Sequence, residues 1–526
     1  MSERLRRLAA VAQLDLRLRL RRPVTVAAFL ALCFSAYLWV PDPSTGRALM
    51  VVGGQRALYD SETLAFATGL LCSFLLGLVG YYLVSHSIRG DLETRCGLIL
   101  ASTPLGPGEY LVGKALGHTA FLAVLAAGYL VSSMAMQAAR GEGPVALGPY
   151  LATYGLLVPP AILFAAAAAV LFETRSRLAG RLGDVTYFFL WLTVMGLATA
   201  GEVMSAGSWT SLVDFAGFGV AAEAAKQASG SPGFAIGASA FDASAGTYTF
   251  PGIALRGGWI VRRFAALLVP AGMLALAVAG FHRFDPDRVR LPPPGAARGW
   301  IGRAVAWPRP LVAWAVGPLL AGCGPRPSLC GAALADGALT LLRYPLAGVA
   351  LLAGAVAAPV LPAAEVAAGL LPAILATLGL AVADLACRED REGTLAWTGA
   401  APSISGHHLA WKCATGGLLG LAFTLAPAVR LAASGAAASV TALLAGLSVA
   451  LVAVALATLT RGPKAFTVLY LVFLYLVLDD AGRTPALDFA GFSGRARPAV
   501  ALAYLAGALL LLCVAWATAA LRVARR

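Results

Sequence analysis

The sequence predicts an all-α polytopic membrane protein, with about twelve transmembrane helices in two parallel six-helix repeats and interfacial helices beside them. Three observations carry that expectation. The 526 residues are 59% hydrophobic and only 13% charged, against a charged share of about 25% in ordinary soluble chains. Apolar runs long enough to approach a bilayer's thickness recur in two groups of six. A short charged segment lying between two such runs occurs twice.

The first group of runs covers 24–40, 63–85, 115–137, 148–171, 185–201 and 264–281. The second covers 345–362, 366–383, 413–429, 435–459, 465–478 and 499–521. The chain therefore divides into a first half (1–281), a cytoplasmic or interfacial linker (282–333) and a second half (334–526). Arg21-Arg22-Pro23 opens the first run, and Arg343-Tyr344-Pro345 opens the seventh. A parallel duplication of this kind sets a pathway between the halves.

Residues 4–22 place Leu5, Leu8, Val11, Leu14 and Leu18 at helical spacing among arginines, which suits a helix lying on a membrane surface. Leu14 to Arg21 also alternates with period two, but an isolated strand at a bilayer would leave its backbone unpaired, so helix is expected. The basic start followed by an apolar run resembles a signal peptide. Its end, YLWVPDPSTG, offers no Ala-x-Ala cleavage pattern, so it reads as a retained span. In the linker, residues 310–323 are apolar but too short to span and are expected at the interface. The outer loop 206–263 is much longer than its counterpart 479–498 and reads as a lid, with FGVAAEAAKQAS its one helical stretch.

Charge sets the orientation. With both termini cytoplasmic, inner segments hold 29 of the 40 Lys and Arg and outer segments 11, as the positive-inside rule expects. The net charge of +14 is thus a topology signal, and no nucleic-acid partner is expected. The eight cysteines fall in spans or inner segments, which argues against a disulfide framework. Cys323 and Cys330 have no histidine nearby, so no metal is expected. None of the twelve runs carries Asp, Glu, Lys or Arg near its centre, so an ion-coupled mechanism lacks its usual intramembrane group. Gly108 to Lys114 fits G-x4-G-K, but Ala115 stands where a phosphate loop needs Ser or Thr and no strand precedes it. The chain is expected to bind no nucleotide and to carry no catalytic site.

The repeated segment is 89–114 and again 388–412. Glu93, Arg95 and Gly97 match Glu389, Arg391 and Gly393 at an offset of 296. Pro104, Leu111 and Lys114 match Pro402, Leu409 and Lys412 at 298, so two extra residues are expected in the second copy. The second copy also keeps Glu392-Gly393-Thr394-Leu395, but has Trp411 where the first has Gly113. In these residues the segment resembles the cytoplasmic loop after the second span of ABC-2 type (type V) exporter permeases. The Gly90-Asp91-x-x-x-Arg95-x-Gly97 pattern also resembles the loop of major-facilitator transporters, although the second copy lacks the Gly-Asp start.

The ABC-2 resemblance implies a fused permease in an inner membrane, with each loop a coupling helix docked on one of two copies of a separate ABC ATPase. ATP and magnesium would be bound by that partner, and an amphipathic substrate would move outward. In such permeases spans two and five line the pathway, which implicates Tyr187, Phe188 and Trp191 in one half and Tyr470, Phe473 and Tyr475 in the other. Glu202 and Asp479, at the outer ends of these spans, would form an acidic exit. The other readings are a six-plus-six secondary transporter and a non-transporting membrane scaffold.

Overall fold

The structure is a computed structural model that describes residues 3–175, 178, 180–199, 212–229, 234–253, 257–281, 306–322, 328–399, 407–480, 482, 484–495 and 497–524. It divides into two compact units, 1–291 and 292–526, each with its own packing.

Unit 1 begins with α1 (Glu3–Leu20) and α2 (Pro23–Trp39), followed by α3 (Ser61–Val84) and two short helices, α4 (Ser87–Glu93) and α5 (Cys96–Ser102). Next come α6 (Pro107–Arg140), α7 (Leu147–Thr174), α8 (Arg181–Thr199), α9 (Phe218–Ser229), α10 (Gly257–Ala265) and α11 (Leu268–Gly280). Unit 2 holds α12 (Arg309–Gly322), α13 (Leu329–Arg343), α14 (Pro345–Val360) and α15 (Leu371–Val382). It continues with α16 (Arg388–Arg391), α17 (Leu395–Gly399), α18 (His408–Leu431), α19 (Ala436–Thr460), α20 (Lys464–Asp480) and α21 (Pro498–Ala524).

Among the described residues, eight helices are long and apolar enough to cross a membrane: 61–92, 107–140, 147–174, 258–280, 363–382, 408–434, 436–460 and 498–522. The other four predicted runs fall on shorter apolar helices at 28–39, 182–198 and 464–478, and on α14, which meets α13 at 103°. Proline causes that corner. Tyr344 precedes Pro345, whose ring excludes helical backbone before it, and it adopts φ −118°, ψ 73°. Arg22 before Pro23 is likewise extended, at φ −79°, ψ 133°. In each unit a helix carrying a buried acid thus runs up to an X-Pro step and an apolar helix leaves from it. The helical reading of 4–22 holds over α1, and the period-two stretch forms no strand.

Arginine closes many of the helix ends. The last carbonyls of a helix have no internal partner and carry its negative pole, so a guanidinium there satisfies both needs. Arg19 donates to Leu83 O and Val84 O at the end of α3, and Arg140 to Tyr37 O and Val40 O after α2. Arg175 reaches Leu276 O, Arg430 Leu361 O, and Arg522 both Thr458 O and Leu459 O. Arg263 does the same for an interior break. Pro159 and Pro160 interrupt α7, and Pro160 has no N–H to give Leu156 O. Arg263 donates to Leu156 O and Leu157 O at 3.2 and 2.6 Å, and to the carbonyls of Asp214 and Phe215.

The departure from all-α is a four-stranded sheet in unit 1, in the order β3 (Phe234–Ala240), β1 (Arg47–Val52), β2 (Gln55–Ala57), β4 (Thr247–Tyr248). Gly53 and Gly54, both at positive φ, make the tight β1–β2 turn. Residues 41–61, between the first two predicted spans, and the predicted outer loop 206–263 thus share a folded layer, and α9 coincides with the helical stretch FGVAAEAAKQAS expected there.

Helix α1 lies against α6 because Gly113 and Gly117 face it. A Cβ on Gly117 would stand 2.9 Å from Ala12 O and 2.9 Å from Asp15 Cβ, and one on Gly113 2.8 Å from the Val11 side chain. Gly117→Leu is therefore expected to push α1 away and to lower stability by about 1–3 kcal/mol, the usual cost of overpacking. Gly143→Ala, with nothing within 4 Å of the added carbon, is the control. Equal thermal midpoints for the two variants would refute the close approach.

Candidate functional site

Each unit buries a lysine in the first turns of a long helix and surrounds it with carboxylates from two other segments. In unit 1 the lysine is Lys114, on α6. Its Nζ lies 2.9 Å from Asp91 Oδ2 on α4 and 3.4 Å from Asp15 Oδ1 on α1. Tyr110 OH donates to the same Asp91 oxygen at 2.6 Å, and Ser87 Oγ to Asp15 Oδ1 at 3.2 Å. Arg19 Nε donates to the other Asp15 oxygen at 2.7 Å, and His118 Nε2 lies 3.5 Å from it. From the far side, Glu173 near the end of α7 accepts the backbone N–H groups of His86, Ser87, Ile88 and Arg89. The short helix α4 is thereby tied to α1, α6 and α7.

In unit 2 the lysine is Lys412, fully buried on α18. Its Nζ pairs with Glu389 Oε1 on α16 and lies 2.9 Å from Asp336 Oδ2 on α13. The ring of Trp411 sits 3.8 Å from the ammonium. Arg388 joins Asp336 at 3.3 Å, Thr340 Oγ1 at 3.1 Å and Asp384 at 3.4 Å. Tyr344 OH donates to Asp384, and Arg343 pairs with Glu392 at 2.8 Å. His408 Nε2 stands 3.7 Å from Glu389 Oε2, an ionic distance beyond hydrogen-bond reach.

One carboxyl in each cluster is held toward its charged form. Burial raises the Asp15 carboxyl, but His118, Arg19 and Lys114 outweigh it and hold it at about 2. Burial likewise raises Glu389, while His408 and Lys412 bring it down to about 2.

The geometry changes the alignment of the repeated segment. Asp91 and Glu389, both on the lysine, stand at an offset of 298, the same as Lys114 and Lys412. Arg95 and Gly393, at φ 60° and 71°, are the left-handed residues that end the first turn of each segment, again at 298. The two extra residues expected in the second copy are therefore absent from this stretch. Matching the letters Glu-x-Arg-x-Gly shifted the pairing by two; the lysine's demand for a carboxylate sets the true register. The side chain of Glu93 lies outside the description, as do Pro402 and Glu202 entirely.

Of the other expected residues, Gly97 is buried on α5, and Pro104 O accepts from Arg7. Arg391 is exposed. Gly113 serves the approach of α1, and Gly108 to Ala115 is helix throughout, with no phosphate-cradling loop. Tyr187 and Trp191 are fully buried and Phe188 nearly so. Tyr187 stacks on Tyr81 at 3.9 Å and donates to Gly77 O, and Trp191 covers Gly77, where a Cβ would stand 2.0 Å from the indole. Tyr470 repeats the device in unit 2, donating to Leu375 O and lying over Gly379. Phe473 packs on Phe489 and Tyr504, and Tyr475 is half-buried. Asp479 is the last residue but one of α20, its side chain outside the description.

Sequence reasoning did not single out Asp15, Asp336 or Arg388, and it met Asp91 only in the Gly-Asp pattern, not as a partner of the lysine. A signal was present. Asp15 and Asp336 are each an acid about two turns before the proline that opens the next helix.

The fold and these clusters define a helical, membrane-embedded protein. No family model matches the chain, and neither the curated proteins nor the solved structures contain a match.

Lys412→Met is expected to leave the buried Glu389 carboxylate without its lysine, while Asp336 keeps Arg388, and to cost about 3–5 kcal/mol. A thermal midpoint within a degree of the parent would exclude that arrangement. For pH, Asp15 and Glu389 have folded values below the ordinary carboxylate range of about 4, so their stabilisation is complete above it and is lost as pH falls toward about 2. The midpoint should stay level from about pH 7 to 5 and fall between about 4 and 2. The fall should be shallower in an Asp15→Asn/Glu389→Gln double variant; identical profiles would count against these pairs.

Proposed function

We propose that the chain is the membrane permease of an ATP-driven exporter of ABC-2 type, with about twelve spans in two parallel six-span repeats. The observation that carries this reading is the recurrence, at one offset, of a buried lysine with two carboxylates that fixes a short helical loop to the spans beside it. Such a loop cannot shift without moving those spans, which suits a part that receives force from a soluble partner. Beyond each lysine cluster the loop continues into a second short helix, α5 or α17. Ile99 and Trp397, again at 298, are exposed there, at 68% and 83%. An apolar side chain so exposed on a charged loop is the kind of group that fills a partner's pocket.

In this reading both termini and both loops face the cytoplasm, and two copies of an ABC ATPase bind ATP and magnesium beneath them. The substrate is amphipathic. The loops are similar but unequal, an isoleucine on one and a tryptophan on the other, so the two ATPase contacts differ in strength.

The test is reconstitution with an ABC-type ATPase that co-purifies with the chain. Trp397→Ala should weaken ATPase binding about 30-fold, the scale of an interfacial hot spot, and Ile99→Ala should weaken it less. Neither change should alter the thermal midpoint, since both side chains are exposed. Undiminished ATPase binding in the Ile99→Ala/Trp397→Ala double variant would refute the docking role. Robust ATP hydrolysis by the chain alone would overturn the division of labour.

A further inference from the structure

Unit 2 has an apolar crevice at the end of its bundle opposite Lys412. The crevice has a volume of about 180 Å³, and Ala363, Ala367, Leu431, Ser434, Ala438 and Gly491 are among the residues that line it. Helix α18 runs from Lys412 at one end to Leu431 at the other, which fixes the crevice at the far end. Its origin is local. Residues 366–370 form a π-helical turn, wider than an α-turn, where the 363–382 span begins. Gly435, at φ 133°, turns the chain sharply from α18 into α19. Small side chains on three converging segments then leave space that close packing would otherwise fill.

The rim is charged. Arg430, next to the lining residue Leu431, is anchored by a hydrogen bond from its Nε to Leu361 O at 2.9 Å, two residues before Ala363. Among the described residues no partner meets its two terminal nitrogens. Gly494 also lines the crevice, and the exposed Arg495 and Arg497 follow it. One exposed carboxylate, Glu365, stands on the same edge. Asp488 adds none, because its carboxylate is turned inward onto the N–H groups of Phe492 and Ser493.

We propose that this crevice holds an acyl chain of an anionic membrane phospholipid, whose phosphate is met by Arg430 together with Arg495 and Arg497. The lining offers one polar side chain, Ser434, so a peptide placed there would leave its backbone amides unpaired. An acyl chain needs no such partners. A guanidinium presents paired donors to phosphate oxygens, and three guanidiniums outnumber the two carboxylates, Glu365 and Asp488, which favours an anion. Because α18 and α19 are of membrane length, lipid is the surrounding medium and reaches the crevice from the side.

The inference is independent of the transport reading, since lipid retention requires no ATPase. The full-length chain in neutral detergent would be examined by native mass spectrometry and thermal unfolding. Phosphatidylglycerol, diacylglycerol of the same chains and inorganic phosphate serve as separate probes. Phosphatidylglycerol should be retained at one molecule per chain and should raise the thermal midpoint, while the other two do neither. Arg430→Gln should cut retention about tenfold, the scale of one charge-assisted hydrogen bond. The exposed changes Arg495→Gln/Arg497→Gln and Ala364→Leu, the last filling the mouth, should each cut it severalfold without affecting folding. Unchanged retention in these exposed variants would overturn the proposal. So would equal retention of diacylglycerol, or an equal midpoint shift with phosphate alone.

Discussion

A buried ammonium flanked by two carboxylates is the constraint on which both units depend. Lys114 and Lys412 stand in the first turns of long apolar helices, where an unpaired charge would be costly. Neither helix supplies the acids its lysine contacts. One comes from the helix before the X-Pro corner, as Asp15 or Asp336, and the other from the loop, as Asp91 or Glu389. Neutralising one lysine therefore ties three separate segments together. The rest of each cluster serves the same end: Arg19 and Arg388 balance the second charge of the acids, and Tyr110 and Thr340 occupy remaining hydrogen-bonding positions.

Arginine has a second role, which Arg19 shares with others away from these clusters and which explains why a chain so poor in charge still uses it freely. Membrane-length helices leave their last carbonyls unpaired, and little water is at hand to meet them. Five guanidiniums cap neighbouring helices in this way, and Arg263 repairs the break made by Pro160. These contacts hold one helix end against the flank of another and set where the bundle's segments stop. The proline, the freed carbonyl and the arginine form one unit of meaning, though they lie about a hundred residues apart in the chain.

The helices were legible because their signals are local: long apolar runs, Pro at the first position, and Pro23 and Pro345 as corners. The sheet was missed although Val52-Gly-Gly-Gln55 is a hairpin signal, because strand β3 lies almost two hundred residues away and nothing nearby announces it. Half of the lysine clusters was legible as well. The lysines and Glu389 stood out as a repeated pattern, whereas Asp91 was not matched to Glu389 because letter identity favoured Glu93. The aromatic residues were legible as a group but not in their placement. Trp191 and Tyr187 are rings seated on glycine backbone inside a packed unit.

By itself, the sequence determined that the chain is helical and membrane-embedded, and that a charged loop recurs between apolar helices. Hydropathy, proline and composition act over a few turns, so a linear reading captures them. Tertiary structure alone decided which acid meets which lysine, the true register of the repeat, and which arginine closes which helix. Those outcomes depend on charges that must find partners within about 4 Å inside a medium that solvates them poorly. The residues that satisfy this requirement are brought together only when helices from distant parts of the chain pack against one another.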